Sequence, residues 1–162
     1  MLHVGTKMTG RISARLKELG IVLPIPASPQ GSYLPWVKSG SFLFLSGQIT
    51  MGQNGLEYVG TLGLDLNLDF GRRAARLAAI NVLAQASSAL EGDLDRITRV
   101  VKVTGFVNAA PAFTQHPEVV NGASDLFVEV FGESGRHARS AVGCSSLPRG
   151  VAVEIETIFG IA

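Results

Sequence analysis

Two apolar stripes at helical spacing, with one long apolar strand between them, decide most of what this chain can become. Between positions 69 and 91, Phe70, Ala74, Leu77, Ala78, Val82 and Leu83 recur three or four residues apart. That is the buried face of an amphipathic helix, and its alanines allow close approach to a sheet. Asp69 is placed to cap this helix, and Glu91-Gly92 to end it. A second stripe of Val119, Val120, Ala123, Leu126, Phe127 and Val130 predicts a helix over 117–131, stopped by Gly132. Between them, 97–107 carries Val101, Val103, Phe106 and Val107 with few turn residues and reads as a central strand.

The flanking segments supply the remaining strands. Trp36-Val37 and Phe42-Leu43-Phe44-Leu45 lie around a turn at Lys38-Ser39-Gly40-Ser41. Asn54-Gly55 is a strong tight-turn signal in the Gly-rich stretch that follows. Two last strands, 139–145 and 151–158, flank Leu147-Pro148-Arg149-Gly150. The order is strand pair, helix, strand, helix, strand pair. It predicts an α+β fold in which two helices cover one face of a mixed sheet. Ahead of this, 9–19 places Ile12, Leu16 and Leu19 on one helical face, and Gly20 stops it. The run LPIPASPQGS then forms an extended, proline-stiffened arm. A length of 162 residues suits one globular unit. We divide it into an N-terminal helix and arm over 1–28 and a main body over 29–162.

The last strand poses a problem that no other part of the chain solves. Val151, Val153 and Ile155 face one way, and Ala152, Glu154, Glu156 and Ile158 the other. A half-apolar face holding two carboxylates is costly to bury dry and wasteful to leave in water. A subunit interface containing a polar pocket answers both needs. Charged residues are 17% of the chain, against about 25% in average proteins, which also points to buried surface between subunits.

Charge and cysteine content narrow the partners. Lys+Arg 14 against Asp+Glu 13 leaves a net +1 with no dense basic run, so nucleic acid is not expected as the main partner. A single cysteine, Cys144, excludes an internal disulfide framework and suits a reducing compartment. The N-terminus lacks an apolar signal core, and no run approaches the length of a membrane span. These features predict a soluble, cytoplasmic protein that does not engage membranes.

Four short motifs together resemble the RidA/YjgF family. They are Arg139-Ser140-Ala141-Val142-Gly143; Leu147-Pro148 followed by Val153-Glu154-Ile155-Glu156; Gly31-Ser32-Tyr33; and Leu45-Ser46-Gly47-Gln48-Ile49. The resemblance covers about 29–160. The run Arg-Val-Val-Lys-Val-Thr-Gly-Phe-Val-Asn over 99–108, with the extra N-terminal helix, is similar to a longer branch whose members carry endoribonuclease or translation-inhibitor labels. The resemblance implies a chorismate mutase-like fold and a homotrimer with sites in the clefts between subunits. It also implies hydrolytic deamination of small 2-imino and enamino acids without a cofactor.

The same resemblance assigns roles. Arg139 would grip the substrate carboxylate through two parallel charge-assisted hydrogen bonds, which lysine cannot orient. The alternative is a surface arginine paired with Glu129 or Glu133. Glu154 would aim and deprotonate the attacking water, helped if burial and Glu156, about 7 Å along the strand, raise its pKa. The alternative for both acids, and the favoured one for Glu156, is pairing with arginines at the interface. Tyr33 would close the pocket or serve as an aromatic anchor. Gly47 lets backbone approach the substrate nitrogen, and Ser46, Asn121 and Ala141 complete the substrate contacts. Ala141 stands where short family members often carry cysteine. His3, His116 and His137 have no metal-ligand spacing, so no metal is expected; His137 could sit at the pocket rim. If the last two strands form a hairpin, Arg139 and Glu154 are offset by about four residues, roughly 13 Å. A small substrate then needs the two from neighbouring protomers. The competing functions are a carboxylate-binding regulatory trimer without turnover, and an endoribonuclease or translation inhibitor.

Overall fold

A computed structural model describes residues 10–26, 28 and 31–162. Along the chain run α1 (Arg11–Glu18), β1 (Trp36–Ser39), β2 (Phe42–Ile49), β3 (Met51–Gly52), β4 (Gly55–Leu56), α2 (Leu68–Ala89) and β5 (Ile97–Asn108). They are followed by α3 (His116–Phe131), β6 (Ala138–Cys144) and β7 (Val153–Ile161). The residues around 1–9, including the start of the expected first helix, lie outside this description, as do Ala27, Pro29 and Gln30 of the arm.

Five strands form one mixed sheet in the order β1-β2-β7-β5-β6. β1 and β2 pair as expected about Gly40, which takes φ +56. The last two strands do not form a hairpin. β5 lies between them, antiparallel to β7 and parallel to β6. The expectation failed because it treated neighbours in sequence as neighbours in space. The strand–helix–strand run β5-α3-β6 instead forms a parallel pair, and a parallel pair needs such a crossover.

Helices α2 and α3 cover one face of the sheet. Val153, Ile155 and Phe159 of β7, Val100, Val103 and Val107 of β5, and Leu43 and Leu45 of β2 are buried beneath them. Alanines and glycines bring these layers close. A Cβ at Gly122 of α3 would lie 2.0 Å from the Arg72 carbonyl oxygen of α2, and one at Gly105 of β5 would lie 2.4 Å from Val120. Ala152, expected on the second face, is fully buried just ahead of β7. The α2 cap is Asn67, whose side-chain oxygen accepts from Phe70 N–H at 3.0 Å. Asp69 sits inside the first turn and pairs with Arg73. The β3–β4 turn is also shifted by one position. Gln53 and Asn54 form the loop, and Gly55 opens β4 at φ +119, an angle that side-chain-bearing residues rarely adopt.

α1 is a third helix and joins the same core through Ile12 and Leu16. No side chain of its own caps it. Asp95, just ahead of β5, accepts from Arg11 N–H and Ile12 N–H, both at 2.7 Å. Arg15 Nε adds a bond to the Glu129 carbonyl at 2.8 Å on α3.

Among the described residues, no helix covers the second face of the sheet. Val37, Phe42, Phe44 and Val142 are exposed on it, beside Glu154, Glu156 and Ile158.

Candidate functional site

Arg139 stands on β6 opposite Val103, so its side chain leaves the sheet on the helix side. There Nη1 donates to Asn121 Oδ1 at 2.8 Å and to Ser124 Oγ at 3.1 Å, both on α3. The guanidinium is half-buried and makes no ion pair among the described residues. Glu129 pairs with Arg76 at 2.7 Å and Glu133 with Arg136 at 3.1 Å. The surface-pair alternative is therefore already occupied elsewhere. A half-desolvated cation without a carboxylate retains its affinity for one. Ala141 lies two residues along on the same side, half-buried against the core.

Glu154 projects from β7 to the other face. Its pairing partners are Phe106 and Ile49, and its neighbour Ile155 is fully buried under the helices. It curls over Gly47, where a Cβ would fall 1.9 Å from its Oε1, so only glycine leaves room for this carboxylate. Burial is the main influence raising its pKa, and the nearby Glu156 carboxylate raises it further. Such an acid holds and releases a proton closer to neutrality than an exposed glutamate does.

Ser46 sits at an irregularity where β2 slips register against β7. Its hydroxyl donates to the Leu34 carbonyl at 2.7 Å, tying the strand to the segment that carries Tyr33. Gln48 Nε2 bonds back to the Ser46 and Gly47 carbonyls at 3.0 and 3.2 Å. Tyr33 is half-exposed at the mouth of a cavity of about 200 Å³, which Gly47, Gln48, Asn81 and Arg149 also line. Arg149 holds φ +57 within the short turn Pro148–Gly150. A second hollow of about 260 Å³ lies on the open face among Trp36, Phe44, Lys102, Thr104 and Glu156.

The structure thus brings together Arg139, Asn121 and Ala141 in one group, and Glu154, Gly47, Ser46 and Tyr33 in another. One chain does not unite the two groups. β5 separates their strands by two inter-strand steps, about 10 Å, and the key side chains leave opposite faces. Ser124, Gln48 and Arg149 were not singled out from the sequence. Ser124 was within reach of that reading, because it lies three positions after Asn121 and so shares its helical face. His137 lies beside Arg139, its ring within hydrogen-bond distance of Ser124. Among the described residues, no group of three or more histidine, cysteine or acidic side chains could hold a metal ion. No described helix is long and apolar enough to cross a membrane.

Comparison with known proteins adds independent information. A model of the family described as "YjgF/chorismate mutase-like, putative endoribonuclease" matches residues 13–153. The chain is 48% identical over 151 residues to Protein TCP17 of Trypanosoma cruzi, covering 93% of this chain and 94% of that one. It is 32% identical over 142 residues to a 2-iminobutanoate/2-iminopropanoate deaminase of Dermatophagoides farinae, covering 87% and 94%. Among solved structures, a protein of unknown function from Agrobacterium tumefaciens superposes with a TM-score of 0.87 at 46% identity, covering 93% and 92%.

Proposed function

This chain belongs to the YjgF/chorismate mutase-like family, and on that premise we propose that it hydrolyses small 2-imino and enamino acids to 2-oxo acids and ammonia. The site would be shared between subunits of a homotrimer. The observation that carries this reading is Arg139: a half-buried guanidinium, steadied by two neutral groups and left without a carboxylate. A small organic acid supplies the missing anion. The relative from Dermatophagoides farinae, a deaminase of 2-imino acids, supports the choice of substrate class.

Each group then has a task. Arg139 of one subunit binds the carboxylate. Glu154 of the next faces the imine carbon and passes both water protons to the nitrogen in turn: the first as the C–O bond forms and gives the carbinolamine, the second from its hydroxyl as the C–N bond breaks and C=O forms. The imine and one water become a ketone and ammonia, so atoms balance without a redox partner. Gly47 leaves room for the Glu154 carboxylate at the substrate, Ser46 holds that strand irregularity in place, and Tyr33 closes the mouth. Asn121 steadies the guanidinium, and Ala141 leaves space beside it. Support for assembly comes from the apolar residues left exposed on the open face, which suit contact with other copies.

The test supplies 2-iminobutanoate, generated in place by an amino-acid oxidase, and follows ammonia release. The protein should accelerate release, and Arg139→Ala should reduce kcat/KM by about 10²–10⁴-fold, the loss of two hydrogen bonds to a charged group. Release no faster than buffer would sink the deaminase reading. If 2-oxobutanoate still binds and Arg139→Ala abolishes that binding, the protein is a carboxylate-binding assembly without turnover.

A further inference from the structure

Arg139 is held by a chain of side chains that, with His137 neutral, runs in one direction. A guanidinium carries donors and no acceptor. Its Nη1 therefore donates to Asn121 Oδ1 and Ser124 Oγ. Ser124 Oγ lies 2.9 Å from His137 Nε2, and His137 Nδ1 lies 2.6 Å from the Gly135 carbonyl, which only accepts. The proton on the ring must then be on Nδ1. On the neutral ring Nε2 keeps a lone pair, and the Ser124 proton points to it. Every donor meets an acceptor in the order Arg139, Ser124, His137, Gly135.

The far end of this chain is rigid. Gly135 closes the turn after α3, and a Cβ there would lie 2.2 Å from the Phe127 carbonyl oxygen. The Phe127 ring meets His137 edge-on, with centroids 6.0 Å apart and planes at 88°. Burial, the largest influence, lowers the His137 pKa; the Gly135 bond opposes this and Arg139 adds to it. Burial and the neighbouring guanidinium both favour the neutral imidazole, the form in which the chain runs in this order.

We propose that Ser124 and His137 are positioning residues for Arg139. By fixing Nη1, they leave Nε and Nη2, which make no hydrogen bond among the described residues, presented together to a substrate carboxylate. The inference rests on the reading of Arg139 as the carboxylate-binding residue. It adds that the guanidinium is aimed by an imidazole two bonds away, which itself never touches substrate.

The test is a double-mutant cycle read in the affinity for 2-oxobutanoate, by calorimetry, alongside steady-state kinetics and thermal melting. Ser124→Ala should raise Kd and KM about tenfold, a 1.4 kcal/mol effect, with little change in kcat because Glu154 is untouched. His137→Phe, which keeps a flat ring but no acceptor, should match it. The double variant should be no worse than either single one, because both break the same chain. His137→Gln offers an amide oxygen to Ser124 and should recover affinity to within about twofold of the native protein. Additive losses, or Ser124→Ala binding as well as native while Arg139→Ala does not bind, would overturn the positioning role and leave the proposed site standing. Undiminished binding by Arg139→Ala would instead remove the site itself. If His137→Phe fails to melt cooperatively, the Ser124→Ala and His137→Gln pair still decides the matter.

Discussion

Glu154 is unfavourable as an anion for two reasons that mutation can separate. Burial withdraws water from it, and Glu156 faces it from the same side of the strand. An acid with a raised folded-state pKa binds its proton more tightly folded than unfolded. Its contribution to stability is therefore lost as pH rises from the ordinary carboxylate range through the raised value. Glu154→Gln should accordingly melt higher than the native protein at neutral pH while losing turnover; a lower melting temperature would contradict the burial argument. Glu156→Gln removes only the smaller influence. The acidic limb of kcat/KM, which follows deprotonation of the base, should then move to lower pH. A limb that stays in place would mean that another group sets it. At this scale the sequence named the charged residues, with Asn121 and Gly47 beside them, but not Ser124. Arg139 and Glu154 stand in recognisable motifs, whereas Ser124 reads as one more small residue on an amphipathic helix. Its importance comes from β6, whose register against α3 no local pattern encodes.

Helices α2 and α3 meet through contact too close for ordinary side chains, so single methyl groups should count. Gly122→Ala would drive a Cβ into the Arg72 carbonyl of α2, and backbone cannot yield as a side-chain tip can. We expect a loss of about 1–3 kcal/mol in urea unfolding. Asn67→Ala removes the α2 cap and should cost about 1 kcal/mol in the same measurement. Equal stability of either variant would show that the helix shifts to accommodate the change. Periodicity made α2, α3 and β5 legible, because burial on one side imposes a repeat that the residues display directly. The placement of β6 and β7 on opposite sides of β5 was not legible from the turn between them. Leu147-Pro148-Arg149-Gly150 has turn chemistry, but the chain uses it to pass across β5 and not to reverse beside it. The clue lay one level up, in the strand–helix–strand run of β5, α3 and β6. The misplaced α2 cap is a smaller case of the same kind: Asn67 and Asp69 are both competent caps, and it is Asn67 whose side chain meets the Phe70 N–H.

For the molecule as a whole, the sheet divides labour between its two sides. Helices seal one, and the core beneath them includes α1, whose first turn is fastened by Asp95 at the entrance to β5. The other side offers aromatic and aliphatic groups next to acids. That a carboxylate pair would sit on the face away from the helices was readable from alternation in the final strand. The opposed placement of Arg139 and Glu154 has a genetic signature. Arg139→Ala and Glu154→Gln are each inactive alone under the proposed chemistry. Unfolded together in equal amounts and refolded as mixed rings, they should rescue each other. A crevice that borrows its cation from one chain and its base from another is whole in about a quarter of random pairings, so roughly that share of native ammonia release should return. Were a single chain to furnish both groups, blending the two defective proteins would restore nothing.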